Sequence, residues 1–358
     1  MTPSPCPLVI SWSEPARGHS FQQWLAALLG PQRLIPDTLR LASADASFRR
    51  YFRVDSALGS RIIMDAPPEK ENCQPFVKVA ELMQQAGLLV PQVLAWDEAQ
   101  GFMLLSDLGA QTMMQALPDR EHFEPNLPRY LQAVDALITW QTASRPGVLP
   151  AYDAALLQRE LSLFPDWYLS QHRGMAVEGE LRQTLDAQFA LIVERNLAWP
   201  SVFVHRDFMP RNLMVPADPS EPRLGVLDFQ DAVYGPITYD IASLMRDAFL
   251  SWEEEHVLDI TIRYWQQARS AGLPVGDDFG EFYRGVEWMG LQRHLKVAGI
   301  FARLTLRDGK PQYLADAPRF IGYIRATCAR YAELKPLLRL IDRVEGTEPA
   351  SGYAFGRV

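Results

Sequence analysis

The stretch Val204-His205-Arg206-Asp207-Phe208-Met209-Pro210-Arg211-Asn212-Leu213-Met214-Val215 decides how this chain is read, together with Leu227-Asp228-Phe229-Gln230-Asp231 just downstream. The first has the form H-x-D-x-x-x-x-N. The second places an acid at the end of an apolar run, 21 positions after Asp207 (228 − 207). A five-residue offset lets a short loop turn Asp207 and Asn212 toward one pocket. Leu213–Val215 and Leu224–Leu227 are short apolar runs that can pair as a hairpin, which delivers Asp228 beside Asn212. Phosphoryl transfer needs such a set: one carboxylate facing the acceptor hydroxyl, with an amide oxygen and a second carboxylate holding magnesium on the phosphates. An H-x-D alone is a weak signal. With the asparagine, the flanking strands and the second aspartate it is a strong one. The plainer alternative is a surface aspartate in a turn, a capping asparagine and a strand-end acid. His205 reads as a structural prop for the loop backbone.

Composition bounds the rest. At 358 residues the chain is long enough for two domains or one bilobed unit. A hydrophobic fraction of 48% supplies a sizeable core. A formal charge of −8 and a pI near 5.4 argue against a general nucleic-acid or membrane-surface binder. Cys6, Cys73 and Cys328 are scattered and odd in number, so they read as reduced thiols of a cytoplasmic protein. No basic segment precedes an apolar run at the start, and no stretch of 18 apolar residues occurs, so neither a secretory signal nor a membrane span is expected.

Helical spacing of Phe21, Trp24, Leu25 and Leu28 predicts a helix over 20–29, stopped by Gly30-Pro31. Strands are expected at 33–41, 48–54 and 61–66, a helix at 75–86, and a last strand pair at 93–97 and 102–106. Helices follow at 127–142, 154–171, 179–199 and from 241 onward. The fold class is thus α+β, with a small β-rich lobe over 1–107, a hinge, and a large helical lobe over 108–358 that carries the catalytic loop and the acceptor region. The cleft of such a fold is where a nucleotide lies.

In this order the motifs resemble the aminoglycoside phosphotransferase and choline kinase family, which shares the protein-kinase-like fold. The matching stretches are VHRDFMPRNLMV and LGVLDFQDAVYGPITYDIASLMRD, and Gly235 and Asp240 fit that family's glycine and following aspartate. Within the family, SFRRYFRV, MDAPPEK, MLLSDLG and LQRHLKVAGIFARL resemble the branch of bacterial anomeric kinases of N-acetylmuramate and N-acetylglucosamine, which serves cell-wall recycling. The resemblance implies an ATP- and Mg²⁺-dependent phosphotransferase, monomeric, acting on a small sugar, with Asp207 as base, Asn212 and Asp228 on the metal, and Asp240 as a helix cap or a brace for the catalytic loop. Another kinase of the same fold, acting on an aminoglycoside, choline or homoserine, is the alternative, as is a nucleotide-binding pseudokinase.

The same resemblance assigns the nucleotide half. Residues 102–109 would be the hinge, with Leu105, Ser106 and Asp107 placed at the adenine. Residues 44–50 would cover the phosphates; glycines are missing there, so Ser47 would offer a hydroxyl and Arg49 or Arg50 charge. The lysine that such folds carry on the third strand is absent from Ile62-Ile63-Met64-Asp65. Arg50, Arg53 and Lys70 are candidates to replace it, and Glu81, without that lysine, reads as a surface residue. On the acceptor side Gln230 is in reach of metal or substrate. Arg293, Lys296, Arg303 and Arg307 fall on one helical stripe. The stripe is either a solvated face or an anion contact for a lactyl carboxylate. Trp288 and Tyr234 would either stack on a sugar or lie in the core.

Overall fold

Along Arg50–Ser56 every second side chain from Phe52 is buried, the period-two pattern of a strand with one face on a core. That strand belongs to the first of two units in the computed structural model, which describes residues 10–12, 14–44 and 48–347. The first unit takes the residues up to Ala116 together with Pro210–Asp231; the second takes Leu117–Met209 and the residues from Ala232 on. Residues 210–231 therefore group with the N-terminal residues and not with the helices that flank them in sequence.

In the first unit, helix α1 (Pro15–Leu29) starts five residues earlier than its apolar spacing predicts. Pro15 explains this, since a first-turn proline sacrifices no hydrogen bond. Strands β1 (Leu34–Ala44), β2 (Arg50–Ser56) and β3 (Arg61–Asp65) follow, then helix α2 (Gln74–Gln85) and strands β4 (Val93–Asp97) and β5 (Phe102–Ser106). The sheet is antiparallel with order β1-β2-β3-β5-β4. One face packs Phe52, Val54, Ile63, Phe102 and Leu104 against Phe21 and Leu25 of α1. A two-residue strand β6 (Gln111–Thr112) leads into the short helix α3 (Met113–Ala116) and pairs with Leu213–Val215. That segment pairs in turn with Gly225–Val226, Leu213 opposite Val226, which forms the expected hairpin. Leu227 N–H donates to the Asn212 carbonyl at 2.9 Å and closes the hairpin directly before Asp228.

The second unit is mainly helical: α4 (Leu127–Thr142), α5 (Ala154–Leu163), α6 (Gly179–Leu197), α7 (Thr238–Met245), α8 (Glu254–Ser270), α9 (Phe279–Leu306), α10 (Ala317–Arg330) and α11 (Lys335–Glu345). An antiparallel pair, Ser201–Val204 with Val233–Pro236, runs through it. Asp153 caps α5 by accepting from Leu156 N–H at 2.9 Å. The helix expected to run to Gln171 leaves the α form after Leu163. Pro165 cannot donate to the ladder, and the chain widens into a π-helix over Phe164–His172. The first of the helices expected from 241 onward spans Thr238–Met245, which puts Asp240 inside its first turn. Trp288 is buried in α9 with its ring 5.7 Å from Tyr331, a core position and not a sugar platform. Among the described residues no helix is long and apolar enough to cross a membrane. Cys73 and Cys328 are buried free thiols.

Helix α9 is buried over most of its length and passes close to the end of α5. A Cβ at Gly299 would stand 2.3 Å from the Leu163 carbonyl oxygen, a backbone atom that cannot swing aside. Gly299→Ala is therefore expected to cost about 1–3 kcal/mol by overpacking. A lower unfolding midpoint in a thermal or urea melt checks it; an unchanged midpoint contradicts the tight crossing.

Candidate active site

Strand Ser201–Val204 is buried and ends at His205, where the backbone turns sharply. Arg206 holds φ at +79°, a left-handed conformation that an arginine adopts only when its surroundings impose it. Asp240 imposes it. Its fully buried carboxylate accepts from His205 N–H at 2.7 Å and from Arg206 N–H at 3.0 Å. Of the two roles open to Asp240, it takes that of loop brace; α7 has no side-chain cap at its N-terminus. Burial raises the Asp240 carboxyl to about 6 despite the two N–H groups and the nearby His205 that favour its anion. The His205 ring is buried too. Its Nδ1 accepts from Asp207 N–H at 3.3 Å, and its face meets Phe208 edge-on at 5.7 Å.

Asp207 is partly exposed. Desolvation pushes its carboxyl upward, but the charges of Lys296, Arg293, Arg206 and His205 outweigh that and hold it below the ordinary carboxylate value. It is ionised at neutral pH. The cations are themselves arranged by a second, buried carboxylate. Glu160 of α5 accepts from Arg206 Nη2 at 2.5 Å, pairs with Lys296 Nζ at 3.0 Å and receives the Tyr152 hydroxyl. Lys296 Nζ also lies 3.3 Å from the Tyr239 hydroxyl, and the Arg293 guanidinium stands 5.4 Å over the Tyr239 ring. Gly235 makes room for this: a Cβ there would stand 2.6 Å from the Tyr152 Cβ.

Glu160, Tyr152 and Tyr239 were not singled out from the sequence. A signal for Glu160 did exist, because it lies on the stripe of Leu157, Leu161 and Phe164 that α5 buries. A carboxylate on an apolar stripe demands cations. The predicted basic stripe of α9 does not form one solvated face. Arg293 and Lys296 are buried, Arg303 is half-buried, and Arg307 is exposed and paired with Asp308 at 2.7 Å.

In the first unit, Asn212 Nδ2 lies 3.4 Å from Asp228 Oδ2, and Gln230 Nε2 donates to Asp228 Oδ1 at 2.8 Å. Asp228 is exposed and also left-handed, with φ +62°. The turn is anchored by Phe229, which is fully buried with its ring 4.9 Å from that of Phe76 in α2. Two oxygen-bearing side chains with an open solvent side suit Mg²⁺, which keeps waters and phosphate oxygens as its other ligands. Among the described residues no group of three or more His, Cys, Asp or Glu could hold a metal on its own.

The nucleotide-side residues are placed as follows. Leu105 is buried and pairs with Ile62 across the sheet. Ser106 Oγ accepts from Gln92 N–H at 2.8 Å. Asp107 accepts from Arg53 at 2.6 and 3.1 Å, from the Ser60 hydroxyl at 2.5 Å and from Gly109 N–H at 3.0 Å. These donors overcome the burial that would raise the Asp107 carboxyl and hold it below its ordinary value. Arg50 donates twice to the buried Asp65, at 2.9 and 2.6 Å, so its side chain is spent inside the unit. Arg49 pairs with Glu71 at 3.0 Å. Ser47 lies outside the described residues.

Removing the Asp240 carboxylate takes the acceptor from the buried His205 N–H and from the part-buried Arg206 N–H. Asp240→Ala is expected to cost about 1–3 kcal/mol for each of them. Urea unfolding measures it, and a midpoint like that of the unsubstituted protein would contradict the brace.

The family model described as the phosphotransferase enzyme family matches residues 38–277. An N-acetylmuramate/N-acetylglucosamine kinase of Pseudomonas aeruginosa is 50% identical over 339 residues, which cover 92% of this chain and 97% of that one. A protein of the same name from Neisseria meningitidis serogroup B is 49% identical over 319 residues, covering 88% and 94%. Among solved structures, a Plasmodium vivax ethanolamine kinase shares the fold with a TM-score of 0.59 at 12% identity, covering 94% of each chain. More than half the chain fits the family model and its relatives are half identical along nearly their whole length, so the chain belongs to the phosphotransferase enzyme family.

Proposed function

We propose that this phosphotransferase is an ATP-dependent kinase of the anomeric hydroxyl of N-acetylmuramate and N-acetylglucosamine, a step in the recycling of peptidoglycan. The sugar is carried by the relatives named for it. The chemistry is carried by one observation, Asp207 on the turn that the left-handed Arg206 makes and the Asp240 carboxylate fastens. In this reading the Asp207 carboxylate accepts the proton of the C1 hydroxyl as its oxygen bonds to the γ-phosphorus and the bond to the β-phosphate oxygen breaks, releasing ADP. Asn212 and Asp228 hold Mg²⁺, with Gln230 orienting Asp228; when bound, the metal neutralises charge on the phosphates. His205 and Asp240 keep the loop in the conformation that exposes the Asp207 carboxylate. Arg293 and Lys296 are buried and hold Asp207 ionised by their charge. With ATP as the donor, this reading puts the reaction in the cytoplasm.

Sugar-dependent release of ADP from Mg-ATP tests the reading. Both sugars are expected to stimulate it, and release with neither would refute it. Asp207→Ala is expected to lower kcat by about 10²–10⁴-fold, the usual contribution of a positioned acid–base group, with Mg-ADP affinity unchanged. A fully active variant would contradict the assignment.

The pH profile gives a separate check. A depressed carboxyl stays ionised, and the base stays competent, until the pH falls through its lowered value; activity is then lost. Lys296→Met removes the largest of the charges that depress Asp207. The acid limb of kcat/KM is therefore expected to move to higher pH. A limb that stays in place or moves down would show that Lys296 does not act on the base.

A further inference from the structure

We infer that the hollow framed by the π-helix, α10 and the end of α11 binds a small organic carboxylate with an apolar body. All three elements belong to the second unit. The hollow measures about 340 Å³, and none of the residues assigned to phosphate transfer lines it. That volume lies in the range of small-molecule pockets. The inference stands apart from the proposed function and does not rest on it.

The local sequence builds the hollow. Past Pro165 the chain runs as a π-helix, whose end closes with Arg173 N–H donating to the Tyr168 carbonyl, five residues back, at 3.0 Å. The Arg173 guanidinium then stands 5.5 Å over the Tyr168 ring. Across the hollow, α10 and the short turn before it supply Leu314, Ile321 and Gly322. A glycine inside a helix weakens it relative to alanine. In α9, close packing explains the glycines at two points. A Cβ at Gly285 would stand 2.3 Å from Trp199 Nε1, and Gly299 meets the Leu163 carbonyl as described above. At Gly322 a Cβ would meet no atom within 4 Å. Packing does not require a glycine there, and the missing side chain keeps one wall of the hollow open.

The charges set the ligand's chemistry. Arg325 donates through Nε to Asp342 Oδ1 at 2.6 Å. Arg173 donates through Nη2 to Glu345 and, at 3.2 Å, to the Tyr168 hydroxyl. Both acids are thereby engaged, and Glu345 also accepts from the Tyr168 hydroxyl at 2.9 Å. The Nη1 and Nη2 groups of Arg325 and the Nε and Nη1 groups of Arg173 have no hydrogen-bond partner among the described residues. The two side chains remain 31% and 34% exposed, so these edges are open to a ligand. Each acid fixes one edge of a planar guanidinium and leaves donors on another. Such donors match a carboxylate by parallel hydrogen bonds. The wall of Leu314 and Ile321 takes an apolar body beside it, which a bare inorganic anion would leave unfilled.

The competing reading is a solvated groove edged by ion pairs. Calorimetric titration of the full chain with naphthoate, and with naphthamide as the same body without the charge, separates the two. Naphthoate is expected to saturate at one site with a dissociation constant of about 1 mM or tighter, and naphthamide to bind about tenfold more weakly or less. Gly322→Phe places a ring in the hollow from a position with open space. It is expected to abolish naphthoate binding and to leave the melting midpoint and sugar-dependent ADP release unchanged. Arg325→Gln keeps a donor for Asp342 and is expected to weaken naphthoate about tenfold or more, the loss of a charge-assisted contact. Failure of the unsubstituted chain to bind naphthoate would overturn the inference. So would equal affinity for naphthamide, binding that survives Gly322→Phe, or wild-type affinity in Arg325→Gln. Failure of the kinase reading shows instead in ADP release by the unsubstituted chain, so the two are distinguishable.

Discussion

The buried carboxylate of Glu160 is the constraint from which the second unit's part of the site follows. It draws Arg206 and Lys296 to one point and takes the Tyr152 hydroxyl as well. Removing one member of such a buried cluster is strongly destabilising, because the charges left behind lose their closest partner. With Glu160 in place, the two cations stand where their field acts on Asp207. The pairing gives the loop a fixed geometry. It also explains Gly235, whose missing side chain admits the Tyr152 ring. The strained backbone at Arg206 is then fastened twice, through its side chain by Glu160 and through its N–H by Asp240.

The first unit solves a different problem. The turn that carries Asp228 is exposed at its tip and is held from beneath. Three short strands anchor it: Gln111–Thr112, Leu213–Val215 and Gly225–Val226. Val226 N–H donates to the Leu89 carbonyl at 2.8 Å, and Phe229 plugs against Phe76. Asp228 is thus presented by backbone geometry, with Gln230 fixing one of its oxygens. The left-handed backbone at both Arg206 and Asp228 fits the tendency of strain to gather where groups must be aimed.

Much of this was legible in the sequence. The α+β class and the hairpin that carries Asp228 followed from spacing that short-range chemistry enforces, and the family from the resemblance of whole motifs. Local patterns could not show which cation answers which anion, because those partners are far apart in the chain. Glu160 and Lys296 are separated by 136 positions (296 − 160), and Arg50 faces Asp65 only through strand register. The α9 stripe was read as one face because periodicity reports direction around a helix, not depth. Arg293 and Lys296 share a direction with Arg307 but lie under neighbouring helices, while Arg307 lies past the helix end. The break at Leu163 was signalled by Pro165, whose effect competed with an otherwise continuous apolar pattern.

The proposed function has phosphate passing from ATP to an anomeric oxygen. Phosphorus and carbon NMR of the product made from Mg-ATP and N-acetylmuramate test it most directly. The account predicts phosphorus coupled to the C1 proton and carbon of the sugar. Phosphate found on C6 or on another hydroxyl would contradict it, even with a fully active enzyme.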